Sequence, residues 1–379
     1  MNVDYGRIWA EIDLKNLKFN LDSLHAGTNP EMKFCAVIKA NAYGHGAAQI
    51  AREIEDLPYI WGYVVATREE AYALRDNGIS KPVLLLGPVR EEDYVRLIGE
   101  KIRPVFYELD KVKAFSETAK KLGKTGFYHI AVDTGMSRIG LFPDEEGIET
   151  VKAMAALEMV KAEGIFTHLA TADMLDNEPA LLQNGRFLEF LLKLQGEGIG
   201  FPLTHAANSA ATVLFQGLNY AMCRVGVAMY GLCPSEDYDW MRTPLKPVLS
   251  LYSRVMFVKS VPEGTAVGYG GTFVTKRETK IATIPAGYAD GYARSLSNVG
   301  EVLIRGHRCP IIGKICMDQM MADVTDLTED VSEDDLVTLI GTDGAETISL
   351  EELGKKSGRF NYEFVCCLSD RVKRVYRRD

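Results

Sequence analysis

The sequence lacks any long apolar stretch. Its 379 residues contain no run of about 18 apolar residues, the length that a membrane-spanning helix requires. The nearest candidate, residues 208–233, is interrupted by Gln216, Asn219 and Arg224. The opening MNVDYGRIWAEIDL also lacks the basic and then apolar pattern of a secretion signal. We therefore expect a cytoplasmic protein that has no membrane partner.

Clustered cysteines and histidines are missing as well. The seven cysteines form no Cys-x-x-Cys pair, and the six histidines show no His-x-x-His or His-Glu-x-x-His spacing. These patterns argue against a disulfide framework and against a Cys/His zinc site. Asp318 and Asp323 by themselves do not make a metal site. We expect buried free thiols and no metal.

Positive charge is scarce. The chain has 43 Lys and Arg against 52 Asp and Glu, a net charge of −9, and its pI is about 5.4. It therefore lacks the basic face that a nucleic-acid partner requires. The Gly-x-Gly stretches at 44–46 and 268–270 do not have the Rossmann spacing, and no Gly-x-x-x-x-Gly-Lys-Ser motif occurs. These absences argue against a dinucleotide-binding or P-loop protein.

What is present is typical of a globular chain with two domains, since 47% of the residues are hydrophobic and 25% are charged. From about residue 30 to 240, short β-branched runs alternate with helix-length segments. The candidate strands are 33–38, 60–65, 82–86, 102–106, 128–132, 160–167, 203–206 and 222–227. Eight strands separated by such crossovers predict a parallel sheet, and their number favours a closed (β/α)₈ TIM barrel over an open sheet.

The pattern changes near Pro244 and Pro247, beyond which short strands alternate with turns. The candidate strands are 249–259, 280–285, 301–305, 309–316, 321–323 and 335–340. Gly306-His307 lies between two of these runs and predicts a hairpin turn. We expect an α/β fold in which residues 12–242 form the barrel. Residues 1–11 and 243–379 would then form a mainly β domain.

Two segments of the predicted barrel carry candidate chemistry. In KFCAVIKANAYGHG, Lys39 ends an apolar strand, where partial loss of hydration favours a neutral, nucleophilic amine able to form an imine. In HAANSAAT and CRVGVAMYG, Asn208, Ser209 and Gly226 lie where barrels often bind phosphate, after the seventh and eighth strands. The alternatives, a surface lysine and a tightly packed strand–helix turn, remain open at this point.

Nine segments, taken in order, resemble the alanine racemase family over almost the whole chain. They are AVIKANAYGHG, DTGMSRIG, THLATAD, HAANSAA, RVGVAMYG, VGYGGTF, IPAGYADGYAR, GKICMDQ and NYE. One such motif would be weak evidence, but nine in register are specific. The resemblance implies a barrel followed by a β domain, with pyridoxal 5'-phosphate as the cofactor. It also implies an isomerase that interconverts L- and D-alanine and supplies D-alanine for peptidoglycan.

The resemblance assigns the cofactor site residue by residue. Lys39 would carry the cofactor as an internal imine. Arg224 would face the pyridine nitrogen and leave it unprotonated, because a guanidinium does not give up its proton. The residues implied to hold the phosphate are Tyr43, Ser209, Gly226, Val227 and Tyr362.

The resemblance also implies two bases, because one rigid base could only return a proton to the face from which it came. Lys39 would serve one face and Tyr269, from the partner subunit of a homodimer, the other. His168 would link Tyr269 to Arg224. Arg138 and the backbone N–H of Met317 would bind the substrate carboxylate. The remaining matches line the passage to the site: Asp173, Tyr288, Arg294 and Tyr362, with Lys314 where arginine is common.

One position departs from the family pattern. Many members have a lysine that becomes carbamylated and braces the carboxylate-binding arginine, whereas this chain has Ala131. We expect a bound chloride or comparable anion near Arg138 in its place, with a nearby protein acceptor as the alternative. The departure also keeps open a serine or broad-specificity racemase of the same fold. A pyridoxal-phosphate-binding barrel without turnover fits less well, since it would lack both the β domain and Tyr269.

Overall fold

The computed structural model describes residues 5–215, 218, 220–235 and 243–378. The domain boundary predicted at residue 242 lies outside these residues. The described chain opens with strand β1 (Ile8–Asp13) and helix α1 (Leu14–Ala26). The side chain of Asp13 caps α1 by accepting a hydrogen bond from the backbone N–H of Asn16 at 2.8 Å.

Eight parallel strands follow and form the predicted barrel. They are β2 (Lys33–Val37), β3 (Ile60–Val65), β4 (Val83–Leu85), β5 (Ile102–Phe106), β6 (Gly126–Ala131), β7 (Val160–Phe166), β8 (Leu203–His205) and β9 (Met222–Val225). Their order around the sheet is β8-β7-β6-β5-β4-β3-β2-β9. Where β8 meets β9, the backbone N–H of Arg224 donates to the carbonyl of Ala207 at 2.9 Å, so the barrel is nearly closed. The predicted TIM-like fold is confirmed.

Helices connect these strands on the outside of the barrel. After β2 the chain first makes a left-handed turn, α2 (Lys39–Tyr43). The helices are α3 (Ala47–Ile54), α4 (Arg68–Asp76), α5 (Tyr94–Gly99), α6 (Leu109–Leu122), α7 (Glu145–Ala155), α8 (Glu178–Gly196) and α9 (Ser209–Leu214). In α6, buried Val112, Phe115, Ser116 and Ala119 follow the spacing of one helical face, which packs against the strands. Among the described residues, no helix is long and apolar enough to cross a membrane.

The second domain consists mainly of short strands. They are β10 (Leu249–Arg254), β11 (Phe257–Val261), β12 (Ala266–Val267), β13 (Phe273–Val274), β14 (Thr279–Ile284), β15 (Glu301–Ile304), β16 (His307–Pro310), β17 (Met320–Asp323), β18 (Leu336–Asp343), β19 (Glu346–Ile348) and β20 (Lys373–Arg377), with helices α10 (Leu350–Ser357) and α11 (Asn361–Cys366). The main sheet has the order β16-β15-β18-β10-β1-β20, and β11-β14-β17 forms a second sheet. Strand β1 therefore pairs with the second domain rather than with the barrel.

Three predicted elements of this domain differ from the structure. The single strand predicted over 249–259 is two strands in different sheets, with Val255 and Met256 at the break. The strand predicted over 309–316 instead spans His307–Pro310, and the next residue, Ile311, bridges to Ala322 of β17. The hairpin turn consists of Arg305 and Gly306, both with positive φ, so it lies one residue earlier than predicted.

Candidate active site

A cavity of about 480 Å³ opens at the carboxyl ends of the barrel strands, where barrel enzymes place their active sites. Eleven of the predicted residues line it: Lys39, Tyr43, Arg138, His168, Asp173, Asn208, Ser209, Arg224, Gly226, Val227 and Tyr362. The cavity therefore brings together residues from positions 39 to 362 of the chain. Its size lies within the range that small-molecule and cofactor sites occupy.

Lys39 and Tyr43 are positioned by an unusual backbone segment. Ala40, Asn41, Ala42 and Tyr43 all have φ between 50° and 56°, the left-handed region that non-glycine residues rarely adopt. Side chains hold this turn in place. Glu70 accepts from the N–H of Ala40 at 2.6 Å, and Asn41 accepts from the N–H of Ala47 at 2.9 Å. Strain of this kind persists only where surrounding structure enforces it, and it is typical of functional sites.

Tyr43 presents its hydroxyl to the same cavity. Its ring packs against Tyr230 at a centroid distance of 5.3 Å and meets Tyr362 edge-on at 6.5 Å. Burial, together with the neighbouring Cys366 and Tyr362, raises the pKa of Tyr43 well above its ordinary value. The hydroxyl therefore stays protonated and serves as a hydrogen-bond donor.

Ser209 and Gly226 form a small polar cradle beside the Tyr43 hydroxyl. The Oγ of Ser209 accepts from the N–H of Gly226 at 2.8 Å, which leaves the hydroxyl hydrogen free to donate. A Cβ atom at position 226 would lie 3.2 Å from Tyr43 Oη and 3.4 Å from Val37 Cβ. The glycine thus keeps open a space that any side chain would narrow.

Arg224 lies at the floor of the cavity and is only 4% exposed. Its Nη1 donates to His205 Nδ1 at 2.8 Å, while Nη2 donates to the carbonyls of Thr167 and Ala206 at 2.9 and 3.0 Å. Burial lowers the pKa of Arg224 to about 10, so the guanidinium remains charged at neutral pH. Within the described chain, its Nε–H has no hydrogen-bond partner.

His168 lies beside Arg224 and is neutral. Burial, reinforced by the charges of Arg224, Arg138 and Lys39, lowers the pKa of His168 to about 3. Its Nδ1 is 3.1 Å from Arg224 Nη2, and an arginine can only donate. Nδ1 is therefore the acceptor, and the ring proton is on Nε2.

Arg138 and Ala131 are placed differently from the expectation above. Arg138 is exposed in the single chain, so its charge does not by itself require the anion expected beside it. Ala131 is buried in an apolar cluster inside the barrel, with Val37, Val64 and Phe166, and does not line the cavity. An uncompensated charge would therefore arise only if another chain covered Arg138.

Four predicted residues lie on the β domain, outside the cavity. Tyr269, Met317 and Tyr288 are 72%, 52% and 42% exposed, and Arg294 is exposed as well. The N–H of Tyr288 donates to the carbonyl of Cys316 at 3.1 Å, which places it beside Met317. Within one chain, these side chains form a second group of site residues that is separate from the barrel cavity.

Comparisons with known proteins show the family. The family models described as alanine racemase, N-terminal domain, and alanine racemase, C-terminal domain, match residues 12–234 and 248–376. Alanine racemase of Methanococcus maripaludis is 45% identical over 97% of this chain and 98% of its own length, and that of Halothermothrix orenii is 41% identical over 97% and 96%. This chain belongs to the alanine racemase family.

Solved structures of the family have the same fold. Alanine racemase of Clostridium difficile 630 superposes with a TM-score of 0.93 at 37% identity, covering 98% of this chain and 96% of that one. The Bartonella henselae alanine racemase, described with covalently bound pyridoxal phosphate, has a TM-score of 0.87 at 30% identity, with coverages of 98% and 100%. These relatives confirm the predicted isomerase class and alanine racemase function, and they do not favour the serine or broad-specificity alternative.

Sequence reasoning missed one neighbour of Arg224 in this alanine racemase fold. His205 is completely buried, accepts from Arg224 and stacks on Phe166 at a centroid distance of 4.9 Å. The only signal in the sequence is a histidine on a strand that is otherwise predicted to be buried. Such a residue is most often structural, so its contacts have to be seen in three dimensions.

Proposed function

We propose that this chain racemises alanine as a homodimer, with pyridoxal 5'-phosphate in each barrel cavity and the second base supplied by the partner subunit. The observation that carries the proposal is the division of the predicted residues into two groups. The barrel cavity contains Lys39, whereas Tyr269 projects from the β domain with 72% of its surface exposed. A site with bases on both faces of the substrate therefore needs a second chain.

The residues of the cavity fit this cofactor. The Ser209 hydroxyl, the Tyr43 hydroxyl and the space above Gly226 offer donors and room for a phosphate. The Nε–H of Arg224 is directed to a ligand acceptor such as a pyridine nitrogen, because both terminal nitrogens are already used by protein acceptors. Val227 and Tyr362 complete the phosphate end, and Lys39 provides the amine for covalent attachment.

When bound, the cofactor withdraws electrons from the substrate and makes its α-hydrogen acidic. Lys39 Nζ, freed when the substrate amine takes its place on the cofactor, would take or return that proton on one face, and Tyr269 Oη of the partner subunit would do so on the other. Because the reaction runs in both directions, each base must accept the proton in one direction and donate it in the other. Hydrogen bonds fix the guanidinium of Arg224 in place, and Arg224 keeps its proton throughout the reaction.

His168 connects the two groups in this proposal. Its Nδ1 accepts from Arg224, so its Nε2–H is left to donate to the phenol oxygen of Tyr269. A donor at this point would stabilise negative charge on that oxygen while Tyr269 acts as a base. The neutrality of His168 keeps it a fixed donor rather than a competing acid.

The substrate carboxylate would be bound by Arg138 and by the backbone N–H of Met317 from the partner. Asp173 and Tyr362 would line the passage on the barrel side, with Tyr288 and Arg294 on the partner's side. Once the partner covers Arg138, its charge needs compensation that Ala131 cannot supply. We propose a chloride or similar small anion beside Arg138 in the assembled dimer.

The cell compartment is part of the same proposal. None of the seven cysteines forms a disulfide, which fits a reducing cytoplasm, although Cys366 and Cys367 are exposed rather than buried as expected. The D-alanine produced there would supply peptidoglycan synthesis, as the family resemblance implies.

The test is a panel of amino acids incubated with purified protein and pyridoxal 5'-phosphate, with enantiomers separated by chiral chromatography. We expect racemisation of alanine in both directions, with kcat/KM for serine lower by about tenfold or more. Equal rates for alanine and serine would support the broad-specificity alternative, and no racemisation of either would contradict the proposal.

A further inference from the structure

A row of polar side chains runs from Arg224 through the inside of the barrel, away from the cavity. Arg224 Nη1 is 2.8 Å from His205 Nδ1, and His205 Nε2 is 2.9 Å from His129 Nδ1. His129 Nε2 lies 3.8 Å from Glu163 Oε2. Glu163 in turn accepts from Arg103 Nε at 2.9 Å near the amino ends of the strands. None of these contacts belongs to the proposed cofactor site except the first.

The chemistry of the two ends fixes the direction of every bond between them. An arginine can only donate, so His205 Nδ1 must accept and its proton must be on Nε2. That N–H donates to His129 Nδ1, so the proton of His129 is also on Nε2. The Nε2–H of His129 points toward the carboxylate of Glu163, which can only accept. One pair of tautomers alone satisfies the whole row.

The surroundings of the two histidines support neutral rings. Both are completely buried. Burial lowers the pKa of His205, with further contributions from Arg224 and His129, and burial also lowers the pKa of His129. Burial opposes ionisation of Glu163, but contacts with His129 and Arg103 outweigh it and bring its pKa down to about 2. The row therefore consists of two neutral rings between two fixed charges.

The last link is longer than a hydrogen bond. His129 Nε2 has no hydrogen-bond partner among the described residues, and Glu163, with 20% of its side chain exposed, is the carboxylate that faces it. At 3.8 Å, the negative charge of Glu163 still favours the tautomer of His129 that carries its proton on Nε2. A small rotation of the Glu163 side chain would close the bond.

Gly164, next to Glu163, keeps the space for the His129 ring. A Cβ at position 164 would lie 2.5 Å from His129 Nδ1 and 2.6 Å from its Cε1. Residues 129 and 164 are direct partners in the pairing of β6 with β7. The backbone is thus adapted to hold an imidazole at the centre of the row.

Arg224 needs such a row, because no carboxylate contacts it in the described part of the chain. Its partners are backbone carbonyls and two neutral histidines. We propose that Glu163 is a positioning residue that acts through His129 and His205, locking both tautomers so that Nη1 of Arg224 always faces an acceptor. The inference rests on the proposed function only for its effect on catalysis.

The test is solid-state ¹⁵N NMR of the holoenzyme labelled at histidine, which distinguishes protonated from unprotonated ring nitrogens. We expect His129 and His205 to be Nε2–H tautomers. His45 is the internal control, since its Nδ1 contacts the carbonyls of Ala42 and Tyr43 at 2.9 Å and must carry the proton. An Nδ1–H tautomer at His205 in the wild-type protein would overturn the proposal.

Variants of Glu163 separate positioning from folding. Glu163→Leu removes the carboxylate that disfavours the opposite pair of tautomers, in which Arg224 Nη1 would rely on the carbonyl of His205 at 3.3 Å. We therefore expect mixed tautomers at His129 and His205 and a kcat lowered by about tenfold with KM changed less than about twofold. Glu163→Gln retains an acceptor oxygen and should keep both tautomers and most of kcat. Lys161→Gln, on the same strand and also a one-charge change, should alter neither.

The outcomes also separate this inference from the proposed function. Unchanged tautomers in Glu163→Leu would overturn the positioning role even if wild-type protein racemises alanine. If Glu163→Leu does not fold, the smaller Glu163→Ala provides the second perturbation and should give the same mixed tautomers. If wild-type protein has the expected tautomers but no racemase activity, the result would support the tautomers assigned to the row and contradict the proposed function.

Discussion

The two groups of site residues differ in how they are held. In the barrel, Arg224 and Ser209 are buried and hydrogen-bonded, and a strained left-handed turn fixes Lys39. On the β domain, Tyr269 and Met317 are mostly exposed and lie on turns. In the proposed dimer, the cofactor half would therefore be organised within one chain, whereas the second base would be organised only by assembly.

The division has an energetic reason. A cofactor that is bound through several polar groups gains affinity when those groups are already in place, because little ordering remains to oppose binding. A tyrosine at a subunit interface can remain on the surface of the free chain, since its ring is amphipathic. Variants on the two sides should therefore fail in different ways.

The largest effect is expected for Lys39→Ala in the barrel half. Racemisation should fall by at least about 10⁴-fold, because both the covalent attachment and one base are lost. Borohydride reduction followed by mass spectrometry of peptides should find the cofactor on Lys39 in wild-type protein and not in the variant. Lys33→Ala, at the exposed start of the same strand, is the control and should retain trapping. Trapping at another lysine would contradict the assignment.

Tyr269→Phe, in the β-domain half, should slow racemisation in both directions by about 10²–10⁴-fold. Binding of the cofactor should be unchanged, because the barrel cavity is intact. Exchange of the α-hydrogen with solvent deuterium should persist for the enantiomer served by Lys39. Tyr59→Phe, whose hydroxyl contacts Asp22 on the outside of the barrel, serves as control. Equal exchange of both enantiomers would show that Tyr269 is not the second base.

Gly226→Ala should weaken cofactor binding by about tenfold, roughly 1.4 kcal/mol. The added methyl would lie 3.2 Å from Tyr43 Oη, in the space assigned to the phosphate. Titration of apoenzyme with pyridoxal 5'-phosphate measures the change. Gly185→Ala, on exposed α8 with nothing within 4 Å of the new Cβ, should leave the affinity unaltered.

The smallest effect concerns the anion near Arg138. At constant ionic strength, replacing a bulky anion by chloride should raise activity by about two- to fivefold. Ala131→Lys, with bicarbonate present, should remove that dependence if the new lysine forms a carbamate. A flat response to chloride, with Arg138 bonded to a protein carboxylate in a dimer structure, would contradict the proposal.

The sequence predicted the barrel strands well because apolar runs that are buried on both faces have a strong local pattern. Strand β5 has the predicted bounds, Ile102–Phe106. The β domain was less predictable, because the pattern of 249–259 does not reveal that its two halves join different sheets. The left-handed turn after Lys39 was also missed, since Ala40 and Ala42 have no local preference for positive φ.

The cofactor half of the site could be listed from motifs, but its hydrogen bonds could not. His129 and His205 are 76 residues apart in sequence, and each is a lone histidine in an apolar strand. No spacing marks them as partners, and their rings meet inside the barrel because β6 and β8 lie on either side of β7. The exposed position of Arg138 was unpredictable for a similar reason, because in the proposed dimer its cover would belong to the partner subunit.

The central claim, that each active site combines the barrel of one subunit with Tyr269 of the other, is tested most directly with mixed dimers. Lys39→Ala and Tyr269→Ala homodimers should each be nearly inactive. After subunit exchange, about half of the dimers are mixed and each has one intact site, so activity should recover to about a quarter of wild type. No recovery, with exchange verified by mass spectrometry of differently labelled subunits, would place both bases in one chain.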